Sequence, residues 1–130
     1  MLKTTVLETQ KGRIVLMDSI TKVTPEDEDS IVLSASHGGA SSGEFALEVP
    51  LRLVLFNDAG VGRENAGIAA LGMLEARGIA GATIGHDSGK IGDAMDMWEN
   101  GVISHVNRSA EGFGLAKGQK AKEALSRLVA

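Results

Sequence analysis

Residues 51–86 read LRLVLFNDAGVGRENAGIAALGMLEARGIAGATIGH, and this stretch decides the fold. LRLVLF and IAGATI are near-continuous apolar runs bounded by glycine-rich turns, the pattern of strands buried on both faces. Between them, a helix is predicted from about Arg63 to Arg77, with Glu64 at its positive end, Arg77 at its negative end and Gly78 as a stop. Ala66, Ile68, Ala69, Ala70, Leu71, Met73 and Leu74 make that helix apolar around much of its circumference. Gly67 and Gly72 disfavour an isolated helix, and are tolerable if it lies tightly against a sheet or a neighbouring subunit.

The same alternation extends outward. Upstream, IVLSAS reads as a strand and GGASSG as a loop, followed by a short helix, SGEFALEV, capped by Ser42 and ended by Pro50. Downstream, GHDSGKIG is a loop, DAMDMWEN a helix with Asp93 near its start, and GVIS a strand. KGQKAKEALSRLVA is a terminal amphipathic helix with Ala121, Ala124, Leu125 and Leu128 inward. At the N-terminus, TTVLE and RIVLMDSI flank the turn Gln10-Lys11-Gly12 and predict a hairpin or edge strands, and the acidic TKVTPEDEDS predicts a solvated loop. The expectation is a single α/β domain over residues 1–130, three-layered, with a mostly parallel sheet and helices on both faces.

Composition narrows the function. A net charge of −4 argues against nucleic acid as a main partner, because phosphate binding needs clustered Lys and Arg. The locally basic stretch from Arg108 reads as a solvated helix face. With three Phe, one Trp and no Tyr, a base-stacking surface is not expected, and Trp98 reads as a core or interface anchor. Zero cysteines exclude disulfides, thiolate metal sites and thiol nucleophiles. MLKTTVLETQKGR lacks the apolar stretch of a signal peptide, and no run approaches the roughly 20 apolar residues of a membrane span, so a cytoplasmic protein with no membrane partner is expected.

His37, His86 and His105 each follow a short apolar run, and Asn57 and Asp58 follow another. In an open α/β sheet, ligands bind beyond the carboxyl ends of the strands. If all the strands are parallel, His37, Asn57, Asp58, His86, Asp87 and His105 meet at one edge as a small-molecule site. His37 and His86 are the candidates for general acid and base, with Asp58 and Asp87 orienting them or binding substrate hydroxyls. Backbone N–H groups and side chains of Ser36, Gly38, Gly39, Ser41, Ser42, Gly60, Gly62 and Ser88, with Lys90, would hold a carboxylate or oxyanion. His105 and Asn107 would complete the site.

Rival chemistries are weaker on spacing. A divalent Zn, Mn or Fe site built from His and Asp is compatible with the composition, but no H-E-x-x-H pattern occurs, and no cofactor is required. Ser88 lies at a strand-to-helix turn and Ser36-His37-Gly38-Gly39 is like the oxyanion loop of some esterases, yet GHDSG is not G-x-S-x-G. Walker A and G-x-G-x-x-G patterns are absent after a strand, which makes ATP and NAD poor candidates.

Taken together, SHGG, FNDAGVG, AGIAALGMLEARGIA, GHDSGKIGD and GVISHVN resemble a small, uncharacterised bacterial α/β family over about Ser34 to Asn107. That resemblance implies no activity. GRIVLMDS through HGGASSGEFAL is similar to the swivelling small domain of aconitase X-type dehydratases, where a glycine- and serine-rich loop precedes a helix; the likeness ends near Phe56. It implies a loop type only, because those enzymes hold an iron–sulfur cluster in a separate large domain and this chain has no cysteine. The residues therefore point to a small-metabolite enzyme with non-redox acid–base chemistry, hydrolase or lyase in type. The alternative is a non-catalytic metabolite-binding or regulatory subunit. The apolar helix further predicts a homo-oligomer.

Overall fold

Strand order follows chain order. In the computed structural model, which describes residues 1–130, six strands form one sheet in the order β1 to β6. They are β1 (Lys3–Thr9), β2 (Gly12–Met17), β3 (Ile31–His37), β4 (Leu53–Asn57), β5 (Ala80–Ile84) and β6 (Ile103–Val106). β2 to β5 run parallel, while β1 and β6 are antiparallel edges. The predicted N-terminal hairpin is β1–β2. No helix is long and apolar enough to cross a membrane.

Alternation within the strands feeds two cores. Val15, Met17, Val32, Val54 and Phe56 pack with Ala46 of α1 (Ala40–Ala46) and Ala70 and Leu74 of α2 (Ala69–Glu75). Ile14, Leu16, Leu33, Leu55, Ala82 and Ile84 pack on the other face. That face is covered by α3 (Ala94–Asn100), carrying Met97 and Trp98, and by α5 (Ala121–Leu128). Burying each large aliphatic or aromatic side chain here stabilises the fold by roughly 1.5–3 kcal/mol. The result is the expected three-layer α/β architecture.

Two local expectations are corrected, and one helix is added. α1 begins at Ala40 behind an extended Gly39, so Ser42 is buried inside the helix rather than capping it. The helix expected from Arg63 to Arg77 is broken: Arg63–Ile68 is a 3-10 turn with Glu64 and Asn65 at φ 55 and 59, and the α-helix starts only at Ala69. A further short helix, α4 (Arg108–Gly112), follows β6, capped by the Asn107 side chain, which accepts from Ala110 N–H.

One feature of the connections positions the site. The chain leaves β4 toward the face covered by α2, and leaves β5 toward the face covered by α3. The two loops diverge, opening a crevice beyond the carboxyl ends of β4 and β5. Open α/β sheets hold ligands beyond the carboxyl ends of their strands.

Candidate functional site

Asp58 is the first residue past β4, and its N–H extends the ladder by donating to Ile84 O at 2.9 Å. Its carboxylate is thereby fixed at the floor of the crevice. Oδ1 accepts from Gly60 N–H at 2.8 Å and His86 N–H at 3.1 Å, and lies 3.3 Å from His86 Nδ1. The Asp58 side chain is 7% exposed and that of His86 58%, so the carboxylate is sheltered and the imidazole faces solvent. Burial, the largest single influence, pushes the Asp58 carboxyl up, but donors from Gly60, Ser104 and His86 together hold it below the ordinary aspartate range. Asp58 is therefore ionised at neutral pH. An anion facing Nδ1 favours the Nδ1–H tautomer, leaving Nε2 as the basic nitrogen.

The loop behind this pair is unusually wound. Ala59, Gly60, Val61, Gly62, Glu64 and Asn65 all have φ between 51 and 78. A β-branched Val61 at φ 65 is strained, by about 1–3 kcal/mol, and is held there by Val61 N–H donating to Asp58 O and Gly67 N–H donating to Val61 O. Gly67 is required because a methyl there would overlap the Asp58 carbonyl oxygen. Asn57 is fully buried; its Nδ2 donates to Gly89 O at 2.8 Å and its Oδ1 accepts from Ala59 N–H at 2.9 Å. It ties the two divergent loops together and does not face the crevice.

The three histidines do not meet. His37, exposed at the end of β3, accepts Gly39 N–H on Nδ1 at 3.0 Å. It lines a cavity of about 480 Å³ walled mostly by small residues, among them Ala40, Ala59, Val61, Ala66 and Ala69. It stands two strands, or roughly 10 Å, from the end of β5. Ala59 lies between, because it also lines the cavity of about 480 Å³ shared by His86, Asp87, Ser88, Lys90, Ile91 and Asp96.

The antiparallel direction of β6 corrects the expected convergence. His105 pairs with Thr83, short of the strand edge, and Asn107 lies farther away, its N–H donating to Gly81 O. The Asn107 side chain bonds Leu71 O, Ile79 O, Gly81 N–H and Ala110 N–H, a structural role. His105 is nevertheless wired toward the site. Ser104 is an extra residue bulged between the His105–Thr83 and Ile103–Ile84 pairs. His105 Nδ1 lies 3.2 Å from both Thr83 Oγ1 and Ser104 Oγ, and Ser104 lines the same cavity as Asp58 and His86.

The remaining candidates divide between scaffold and rim. Ser88 Oγ donates to Gly85 O at 2.8 Å and accepts Val102 N–H at 2.9 Å, so its hydroxyl is committed to the loop rather than free as a nucleophile. Ser36 Oγ accepts Ile20 N–H, and Gly38 N–H donates to Asn57 O, with no room for a Cβ beside the Gly67 carbonyl. Gly39 and Gly60 N–H groups are likewise taken, by His37 and Asp58. Ser41, Gly62, Asp87 and Lys90 are exposed, the last two beside His86. No three His, Asp or Glu side chains are grouped as a set of metal ligands.

Ser104 and Lys117 border the site without having been foreseen, and Thr83 supports Ser104 from beneath. Ser104 sits at the bulge of β6, and a bulge leaves no local mark in ISHV. No family model, curated protein or solved structure matches this chain.

Proposed function

We propose that this protein is a small-metabolite enzyme performing non-redox acid–base chemistry, of hydrolase or lyase type, in the β4/β5 crevice. His86 is the proton acceptor and donor, and Asp58 orients it. The observation that carries this reading is the asymmetry of the pair: a sheltered, ionised Asp58 set 3.3 Å from the Nδ1 of a solvent-facing imidazole. Such a carboxylate both selects the ring tautomer and stabilises the imidazolium formed when Nε2 takes a proton. The open cavities on either side of His86 supply space for a compact polar or anionic substrate. His37, in the neighbouring apolar cavity, is assigned to contacts with the substrate's remote part. The scheme calls for no cofactor.

The test is a mass-spectrometric screen of pooled small metabolites incubated with the wild-type chain and with His86→Ala. One or more metabolites should be consumed by wild type, with turnover about 10²–10⁴-fold lower in the variant. A metabolite that binds the crevice and is never consumed would instead make this a binding or regulatory subunit. Equal turnover by both proteins would remove His86 from the chemistry.

The proposed setting is the cytoplasm, supported by a composition without cysteine, which suits a reducing compartment. The proposed assembly is a homo-oligomer, supported by Phe45, Ile91, Met95 and Phe113, which stay 37–45% exposed. Sedimentation velocity at micromolar concentration should show a species larger than the monomer; a single monomer boundary contradicts it.

A further inference from the structure

The second cavity beside His86, about 310 Å³, has a wall contributed from far along the chain. After α4, residues 114–120 fold back along β6. Gly118 N–H donates to Ile103 O at 2.8 Å, Ile103 N–H donates to Gln119 O at 2.9 Å, and Val102 bridges Lys120 in antiparallel fashion. The Gln119 side chain closes the loop internally, accepting Ala116 N–H at 2.9 Å and donating to Gly114 O at 3.1 Å. Leu115 anchors it in the core. Lys117 thus belongs to a backbone-tied loop rather than to a free tail, and it lines the same cavity as Asp58, His86, Asp87 and Ser104.

The charges around that cavity are unequally satisfied. Asp58 is matched by the Gly60 and His86 N–H donors. Lys117 and Asp87 belong to none of the ion pairs, which join Lys3 to Asp27, Arg52 to Asp29, His86 to Asp58 and Lys122 to Glu99. Their charged atoms are therefore more than 4.0 Å apart, too far to neutralise each other directly. A free cation, a free carboxylate and an imidazole share one cavity whose volume is at the small end of ligand pockets, about 300–1,000 Å³.

We propose that this cavity binds a small carboxylic acid bearing a hydroxyl or amino donor, with its carboxylate on Lys117, its donor on Asp87 and its reacting part beside His86. This rests on the acid–base reading of His86 only for what happens after binding. Lys117 is then the residue that selects an anionic substrate, and Asp87 the residue that selects a donor-bearing one.

The experiment is a ¹H–¹⁵N titration of the full chain with four probes: lactate, alanine, propionate and methyl lactate. Lactate or alanine should shift the Gly85, His86, Lys117 and Gly118 amides saturably, and which of the two does so identifies the donor as hydroxyl or amino. Propionate, lacking the donor, and methyl lactate, lacking the charge, should bind about tenfold or more weakly, as expected for loss of one charge-assisted hydrogen bond. Lys117→Gln should reduce the better acid to the level of a neutral probe, and Lys117→Arg should restore it. Asp87→Ala, which removes the acceptor, should bring it down to propionate. Both side chains are exposed, so unshifted amides elsewhere certify the fold of each variant. The proposal is overturned by equal binding of propionate or methyl lactate, by unchanged affinity in Lys117→Gln, or by no saturable shift at the cavity. Binding that depends on Lys117 without any turnover defeats the acid–base reading and leaves this inference standing; turnover sensitive to His86→Ala with binding indifferent to Lys117 does the reverse.

Discussion

Asp58→Asn should lower turnover by about 10²–10⁴-fold while leaving the chain folded at neutral pH. An asparagine Oδ1 can still accept from Gly60 and His86 N–H, so the loop keeps its shape. What is lost is the charge 3.3 Å from Nδ1. Without it no anion favours a proton on Nδ1, and the imidazolium formed on proton transfer has no counterion. The same substitution removes charge-assisted hydrogen bonds, at a cost of about 1–3 kcal/mol of stability. The pH dependence has a definite sign. Because the Asp58 carboxyl is held below the ordinary aspartate value of about 3.9, its ionised form stabilises the folded state above that pH. That contribution disappears as pH falls through the lowered folded-state value. Chemical denaturation from pH 7 down to pH 2 should therefore show wild type losing more stability than Asp58→Asn. Both should still weaken in acid, because Asp18, Asp29, Glu75 and Asp96 are also held low by donors: Asp18 by Ala94 and Leu2 N–H, and Asp29 by Arg52. An identical acid profile in the two proteins would mean that the surrounding donors do not hold the Asp58 carboxyl low.

Gly67→Ala should destabilise the protein by about 2–3 kcal/mol, and Gly72→Ala should stabilise it by roughly 0.5–1 kcal/mol. From the sequence the two positions look alike: each is a glycine within an apolar, helix-like run. In the fold, Gly67 precedes α2, and a methyl on it would collide with the carbonyl of Asp58 and crowd Val61 Cα at 3.0 Å. Relief requires the backbone carrying Asp58 to move, so the variant should also lose turnover. Gly72 is exposed inside α2 with nothing within 4 Å of a Cβ, and alanine there only improves helix propensity. Thermal unfolding of the two variants side by side reads both effects. A neutral Gly67→Ala would show that the wound Ala59–Asn65 loop does not hold the site.

The parallel core was legible because LRLVLF, IVLSAS and IAGATI are apolar without alternation, which only strands covered on both faces tolerate. The direction of β6 was not. The segment from Gly85 to Val102 is as long as a parallel crossover and carries a helix like one, so nothing local tells a return on the same side from one that reverses. That single reversal separates His105 and Asn107 from the edge that His37, Asp58 and His86 occupy. Helix periodicity likewise hid the break at Glu64 and Asn65. The crowding of Gly60, Gly62 and Asn65 was the available sign that this stretch uses left-handed backbone. Asp58 and His86 were readable as strand-end residues, but their partnership depends on two loops departing to opposite faces. Lys117 lies 59 residues beyond Asp58 in sequence, and only the pairing of residues 118–120 with β6 brings it to the same cavity.

Long-range ¹H–¹⁵N correlation of the imidazole nitrogens, recorded where His86 is neutral, tests the orienting role of Asp58 most directly. The geometry predicts a single Nδ1–H form with Nε2 unprotonated, converting toward the Nε2–H form in Asp58→Asn. A wild-type ring already protonated on Nε2 and bare on Nδ1 would contradict it.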